Sequence, residues 1–258
     1  MVIFRQTATP MTDTQIQFLD RGDGLRLAFR KREGDGPTIV FLPGYASDME
    51  GTKAVALDAF ASERRLPLLR FDYSGTGSSG GAFEDGTLGR WTDEAQLMLD
   101  LTTDGPVVLA GSSMGAWIAL HLALRRPERV FGLVGIASAP DFTEWGFSDR
   151  LKDRLSSGET LRRELPDGST QVTTSGFWTS GQSMRLLDSE IAIDCPVRLV
   201  HGDRDETVPL EVAFRLKDKL RSADVQVTVI KGGGHRLSEA HEIETILRTI
   251  SSLVEPNR

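Results

Sequence analysis

The chain carries short apolar runs rich in valine, isoleucine and leucine, and segments of helical length separate most of them. The apolar runs predict eight strands, at residues 15–19, 25–31, 38–43, 66–72, 106–111, 130–137, 196–201 and 225–231. The intervening segments predict helices at 50–63, 91–101, 115–126, 208–220 and 237–253. Apolar strands that alternate with helices are typical of a mostly parallel sheet with helices on both faces. The pattern therefore predicts an α/β architecture.

The alternation breaks once, over residues 141–194, which we call the insertion. It contains a charged amphipathic piece, FSDRLKDRL, and a predicted hairpin between ETLRRE and TQVTTSGFW with its turn at Pro166-Asp167-Gly168. We interpret the insertion as a cap over the carboxyl edge of the sheet, on a core made of residues 1–140 and 195–258. Its aromatic residues either line a slot for an acyl group or only attach the cap to the sheet. They are Phe142, Trp145, Phe147, Phe177 and Trp178.

The composition excludes several classes of protein. With 258 residues and 39% hydrophobic content, the chain can bury a full core and is not disordered. Its 30 basic and 37 acidic residues give a net charge of −7 without a long block of one sign, so we predict no nucleic-acid partner. No apolar stretch has the length of a membrane span, and MVIFRQTATPMTDT at the N-terminus lacks the apolar centre of a secretory leader. One cysteine, Cys195, suits a reducing compartment, and we expect a cytoplasmic protein.

The segment FDYSGTGSSGG, residues 71–81, has the G-x-G-x-x-G spacing of a dinucleotide-binding loop. Such a site also needs a helix that begins inside the motif and an acidic residue about 20 positions later, at the end of the next strand. Here the loop continues beyond the glycines, and the acids at that offset, Asp93 and Glu94, fall in a predicted helix. We therefore predict no nucleotide cofactor.

A different motif lies between the strand GPVVLA and the helical run AWIALHLALRR. It reads Gly111-Ser112-Ser113-Met114-Gly115, which is G-x-S-x-G on a strand-to-helix turn. A serine on such a turn projects its hydroxyl above the sheet at a helix N-terminus, so Ser113 is the candidate nucleophile. The alternative is a glycine-rich turn with a serine that caps the helix.

Serine needs a base within hydrogen-bond reach and an acid that orients this base. His235 lies in a glycine-rich loop between the last strand and the last helix, and it is the candidate base. The other histidines are interpreted as structural, because they lie inside predicted helices or at a strand end: His121, His201 and His241.

The acid is expected on the loop that follows the preceding strand, where VRLVHGDRDETVP offers Asp203 and Asp205. We favour Asp205, because Asp203 follows the strand so closely that it is better interpreted as a turn former. Either residue could also be an exposed turn aspartate. Backbone N–H groups of Met114 and Tyr45 are the predicted oxyanion donors, since Gly44 allows a tight turn in IVFLPGYASD.

Several segments together resemble the α/β-hydrolase superfamily: LPGYASDMEGTKA, RFDYSGTGSSGG, GRW, GSSMGAW and DCPVRLVHG. Within it they are most similar to mitochondrial palmitoyl-protein thioesterases, which are also described as acyl-glucuronide esterases. The resemblance spans residues 37–255, is weakest in the insertion, and implies the α/β-hydrolase fold with triad roles for Ser113, Asp205 and His235. In that family, residues 71–81 match the D-x-x-G-x-G-x-S loop after the fourth strand.

The resulting expectation is a serine hydrolase that cleaves carboxylic ester or thioester bonds in a small-molecule or acylated substrate. Its triad chemistry requires neither a metal nor a cofactor. The same fold also supports peptidases and haloperoxidases, so the fold alone does not select the reaction. A noncatalytic protein that binds a ligand under the cap is the alternative outside enzymology.

Overall fold

The computed structural model describes residues 15–164, 168 and 170–255. Within this part of the chain the strands are β1 Gln17–Asp20, β2 Arg26–Arg32, β3 Thr38–Leu42, β4 Leu68–Phe71, β5 Val107–Ser112, β6 Val130–Ile136, β7 Leu161–Glu164, β8 Thr170–Thr173, β9 Val197–Gly202 and β10 Val225–Ile230. The helices are α1 Thr52–Arg64, α2 Leu88–Thr102, α3 Met114–Arg125, α4 Phe142–Trp145, α5 Asp149–Ser156, α6 Ser175–Ser183, α7 Leu210–Lys219 and α8 Ala240–Val254.

Eight of the strands form one sheet, in the order β1-β2-β4-β3-β5-β6-β9-β10. All neighbours from β4 to β10 in this order pair in parallel, whereas β2 is antiparallel to both β1 and β4. The predicted eight-stranded, mostly parallel sheet is therefore confirmed.

Alternate residues of each central strand face opposite sides of the sheet. In β3, Val40 and Leu42 belong to the apolar cluster that includes residues of α2, α3 and α7. Ile39 and Phe41 belong to a second cluster, which includes residues of α1 and α8. Because both faces are covered, the parallel strands are buried on both sides and read as continuous apolar runs.

The loops after β3, β5, β9 and β10 all leave the sheet at its carboxyl edge, because these strands run in the same direction. Gly44 and Tyr45 follow β3, Ser113 follows β5, Asp205 follows β9, and the His235 loop follows β10. Candidate residues that are far apart in sequence therefore come to one edge, which is where open α/β sheets bind their ligands.

The insertion lies between β6 and β9 and contains α4, α5, the antiparallel pair β7 and β8, and α6. The predicted hairpin strand TQVTTSGFW is too long, because β8 ends at Thr173 and α6 begins at Ser175. The side chain of Thr174 accepts the Phe177 N–H at 3.1 Å and caps α6, which ends the strand. Pro166 and Asp167 of the predicted turn, and the N-terminal segment 1–14, lie outside the described residues.

The bounds of the predicted sheet strands and helices differ from the structure by three residues or fewer. The largest shifts are at helix starts that a side chain fixes. Helix α2 begins at Leu88 instead of residue 91, because Thr87 accepts the Arg90 N–H at 3.1 Å. Helix α8 begins at Ala240 instead of residue 237, because Glu239 caps it in a reciprocal capping box.

Candidate active site

Ser113 occupies the sharp turn between β5 and α3, with φ 54° and ψ −117°. A non-glycine residue with this positive φ is strained, and such strain persists only where the surroundings hold it. The Ser113 N–H donates to the Ile136 carbonyl at 2.8 Å, and the Ser113 carbonyl accepts from Ala116 at 3.0 Å. Gly115 must lack a side chain, because a Cβ there would lie 2.1 Å from the Leu42 carbonyl oxygen. The turn is therefore fixed on both sides of the serine.

Three side chains from separate loops meet at this turn. His235 Nε2 lies 3.1 Å from Ser113 Oγ, and His235 Nδ1 lies 2.8 Å from Asp205 Oδ2. A carboxylate oxygen only accepts, so Nδ1 carries the proton and donates to Asp205. The lone pair of Nε2 is then free to accept from the serine hydroxyl. The arrangement can move a proton from Ser113 to His235 while Asp205 holds the imidazole.

The Asp205 side chain is fully buried but well supplied with donors. Its Oδ1 accepts the N–H groups of Thr207 at 2.9 Å and Val208 at 2.8 Å, and Oδ2 accepts from His235. Burial acts to raise the pKa of this carboxyl, but the hydrogen bonds and the nearby His235 outweigh it and lower the pKa of Asp205. The group is therefore ionised at neutral pH and fixed in orientation.

Asp203, the other candidate acid, lies elsewhere. It is exposed, and its Oδ1 accepts the Gly232 N–H at 2.6 Å. It thereby ties the loop after β9 to the loop that leads to His235. This contact matches a turn-forming role.

Two of the remaining histidines bond to backbone carbonyls, and the third is exposed. His121 Nε2 donates to the Met184 carbonyl at 3.0 Å, and burial lowers the pKa of His121 to about 4. His201 is buried at the end of β9, and its Nε2 donates to the Val208 carbonyl at 2.9 Å. His241 is exposed on α8.

The loop after β3 lies against the turn of Ser113. A Cβ at Gly44 would be 3.4 Å from the Ser113 Cβ and 3.2 Å from the carbonyl oxygen of Ser112. Tyr45 is the next residue on this loop, and Met114 is the first residue of α3, where a backbone N–H has no acceptor within the helix. Both predicted oxyanion donors thus lie next to the place where Gly44 packs against Ser113. That their N–H groups bind one oxyanion stays a prediction.

Comparison with known proteins gives the family. The model of the alpha/beta hydrolase family matches residues 39–246, which is most of the chain. This chain belongs to the alpha/beta hydrolase family. The mitochondrial palmitoyl-protein thioesterase ABHD10 of Homo sapiens is 36% identical over 247 residues, which cover 94% of this chain and 81% of that protein.

Two solved structures are similar to this alpha/beta hydrolase over nearly their whole length. Alpha/beta hydrolase domain-containing protein 10 from mouse superposes with a TM-score of 0.87 at 36% identity, covering 95% of this chain and 100% of that chain. A putative hydrolase from Agrobacterium vitis S4 gives a TM-score of 0.87 at 35% identity, covering 94% and 99%. The resemblance expected from the sequence is confirmed.

The predicted cytoplasmic location of this alpha/beta hydrolase is wrong. The palmitoyl-protein thioesterases that it matches are named mitochondrial, and they point to that compartment instead. The prediction relied on the absence of a membrane span and of a secretory leader pattern, and on Cys195, which is half-buried with a pKa raised by burial to about 11. A single half-buried thiol favours a reducing environment but does not distinguish the cytosol from an organelle.

The glycine-rich loop at 71–81 has a role that its glycine spacing did not predict. Asp72 accepts the N–H of Met49 through Oδ1 and the N–H of Ser78 through Oδ2, each at 2.7 Å. Gly77 has φ 49°, and a Cβ there would lie 2.1 Å from Asp72 Oδ2. The loop therefore wraps around a buried carboxylate, which would repel a phosphate.

Asp72 also ties that loop to the segment after β3, and Arg70 of β4 contacts the same segment. Arg70, which is 2% exposed, donates to the Met49 carbonyl at 2.8 Å. The N–H and the carbonyl of Met49 are thus both held by charged side chains, that of Asp72 immediately after β4 and that of Arg70 within it. Sequence reasoning missed these residues, although an arginine and an aspartate beside a buried apolar strand are a signal for a buried polar network.

The insertion packs against α3 and the loop after β3 through aromatic rings. Phe177, which is 1% exposed, lies 4.6 Å from the Tyr45 ring and 5.6 Å from the Trp91 ring, centroid to centroid. Phe142 lies 5.7 Å from both Phe177 and Trp117. Part of the aromatic set therefore attaches the insertion to α2, α3 and the loop after β3. The half-buried members are Phe142, Trp145, Phe147 and Trp178.

Among the described residues, no helix has both the length and the hydropathy to cross a membrane. Among the same residues, no three His, Cys, Asp or Glu side chains are grouped as metal ligands would be.

Proposed function

We propose that this chain is a serine hydrolase that cleaves carboxylic ester or thioester bonds through an acyl-enzyme. The carrying observation is the pair of contacts at His235, 3.1 Å to Ser113 Oγ and 2.8 Å to Asp205 Oδ2. Together with the strained turn at Ser113, they supply a nucleophile, a base and an acid in the required order.

In the proposed reaction, Ser113 Oγ attacks the substrate carbonyl carbon while His235 Nε2 takes the hydroxyl proton. The negative charge that develops on the carbonyl oxygen accepts hydrogen bonds from the N–H groups of Met114 and Tyr45. Collapse of this intermediate expels the alcohol or thiol, which receives the proton from His235. A water molecule then attacks the acyl-enzyme by the same route and regenerates Ser113.

For the substrate, we propose a medium or long acyl group bound beneath the insertion. The aromatic rings that the insertion shares with the loop after β3 support this proposal, since they bring apolar surface to the same segment as Tyr45. The relatives named palmitoyl-protein thioesterase support an acyl group and a thioester bond. The insertion would then act as a cap.

The test is hydrolysis of p-nitrophenyl esters and acyl thioesters by the Ser113→Ala variant. The change from hydroxyl to hydrogen is sterically mild, so folding should persist while turnover falls by about 10⁴-fold or more. Ser112→Ala, one position earlier, is the matched control and should remain active.

Near-normal turnover by pure, folded Ser113→Ala would contradict the proposal. If the wild-type protein hydrolyses none of these substrates but binds fatty acids, a noncatalytic ligand-binding role replaces it.

A further inference from the structure

The side chain of Tyr45 connects the insertion to the loop after β3. Its hydroxyl donates to the carbonyl of Val172, in strand β8 of the insertion, at 2.6 Å. Its ring contacts four other aromatic rings with centroids 4.6 to 6.1 Å away, two in the insertion and two outside it: Phe142 and Phe177, and Phe83 and Trp91. Tyr45 is therefore bonded to the insertion and packed against the body of the protein at once.

The backbone of the same residue belongs to the segment that touches the nucleophile turn. Gly44, immediately before it, lies against Ser113. Ala46, immediately after it, has φ 56°, which is strained for a residue with a side chain. A strained loop keeps its conformation only where contacts over-determine it. The Tyr45 side chain provides such a contact next to both the strain and the nucleophile.

We propose that the Tyr45 side chain is a positioning group, which couples the insertion through Val172 to the oxyanion donor formed by the backbone N–H of Tyr45. The proposal rests on the proposed function, since it assigns a second role to a residue of that site. When a substrate shifts the β7–β8 hairpin, the shift reaches the oxyanion site within a single residue. The insertion thereby influences the rate of the chemical step as well as substrate binding.

The hydroxyl is in the right protonation state for this role. Burial raises the pKa of Tyr45 well above its ordinary value, so the group remains a donor throughout the pH range of an activity assay. Because the Val172 carbonyl can only accept, the contact persists as long as the hairpin stays in place.

The experiment compares the two tyrosines of the chain. Tyr45→Phe keeps the ring and removes only the hydroxyl that reaches Val172. Tyr73→Phe is the matched control, because the Tyr73 ring is buried against Phe71 and Trp91 while its hydroxyl has no hydrogen-bond partner in the described part of the chain.

We expect Tyr45→Phe to lower kcat by about tenfold, the equivalent of one hydrogen bond, with KM nearly unchanged. It should weaken binding of a short trifluoromethyl ketone, whose serine adduct carries an oxyanion, by the same factor of about ten. Tyr73→Phe should leave both quantities within about twofold of the wild type.

Wild-type kcat and wild-type ketone affinity in folded Tyr45→Phe would overturn the coupling. So would a loss of thermal stability without any change in kcat, because the hydroxyl would then be only structural. If the wild-type protein itself fails to bind the ketone, the proposed function fails first and the coupling fails with it.

A second measurement needs no variant. Hydrogen exchange of the wild-type protein should slow in both 44–47 and 170–173 when the short ketone binds, because the Tyr45 hydroxyl donates to the Val172 carbonyl. Protection confined to 44–47 would overturn the coupling.

Discussion

The loop of the proposed catalytic acid, Asp205, and the insertion are fixed by contacts of very different range. Asp205 accepts N–H groups from residues only two and three positions later. In the insertion, the carboxylate of Asp141 accepts the N–H groups of Leu186 and Leu187, which lie 45 and 46 positions later. The contact between Tyr45 and Val172 spans 127 positions.

This difference in contact range predicts that substitutions in the two regions will have different effects on turnover and stability. Loops that fix their own geometry by local hydrogen bonds keep it when a distant element changes, so substitutions at the sheet edge should remove turnover and leave stability almost intact. The insertion is joined to the rest of the protein, and its two ends to each other, by contacts between residues far apart in sequence. Substitutions there should alter stability or substrate range and leave the bond-breaking chemistry in place, except where they change the contact between Val172 and Tyr45, through which we propose that the insertion affects kcat.

The largest expected effect tests the sheet edge. Asp205→Asn should lower kcat/KM by about 10⁴-fold, because an amide no longer holds the proton on His235 Nδ1 and the imidazole adopts the wrong tautomer. The measurement is steady-state hydrolysis together with a thermal melt that shows intact folding.

Asp203→Asn is the control two positions away, and it should affect stability more than turnover, since its carboxylate accepts the Gly232 N–H of the neighbouring loop. The reverse ranking of the two variants would move the acid to Asp203.

A smaller effect is expected in the insertion. Asp141 is buried with φ 57°, and its carboxylate holds the two ends of the insertion together. Asp141→Ala should lower the free energy of unfolding by about 1–3 kcal/mol, because two backbone N–H groups lose their acceptor. A chemical denaturation curve measures this change, while kcat on a short ester should stay close to the wild-type value.

Asp188→Ala is the control inside the same insertion. Asp188 is exposed and forms an ion pair with Arg185 at 2.8 Å, so its loss should cost less than about 1 kcal/mol. Equal destabilisation by both variants would show that the contacts of Asp141 with Leu186 and Leu187 do not hold the insertion in place.

The smallest expected effect is the gain in transition-state binding for each methylene added to the acyl group. Each methylene buried beneath the insertion should add up to about 0.8 kcal/mol of transition-state binding, so kcat/KM should climb with acyl length until the space is filled. The series runs over acyl thioesters and p-nitrophenyl esters from acetyl to palmitoyl, below their micelle concentrations. A steep preference for acetyl would show that the aromatic residues only attach the insertion to the sheet.

The same difference in range decides what the sequence could predict. Apolar runs such as GPVVLA identify strands because a buried parallel strand needs apolar residues on both faces. The glycines around Ser113 indicate its turn because the sharp turn leaves no room for side chains at those positions. Asp205 and His235 could be proposed because the order of the strands brings their loops to one edge.

The contacts of the insertion could not be predicted in this way. Nothing near Tyr45 in sequence indicates that its hydroxyl reaches Val172, and nothing near Asp141 indicates Leu186 and Leu187. The hydrogen bonds of Arg70 and Asp72 to the backbone of Met49 likewise depend on the folded path of the loop after β3. Such contacts follow from tertiary packing, which periodicity and spacing do not encode.

The central claim is that Ser113 is an activated nucleophile, and active-site labelling tests it most directly. A fluorophosphonate reacts with a serine hydroxyl only when a base and an oxyanion site activate it. Intact-protein and peptide mass spectrometry should find one adduct, on Ser113, in the wild-type protein and in Ser112→Ala, and none in Ser113→Ala. Labelling of another serine, or equal labelling of Ser113→Ala, would contradict the account.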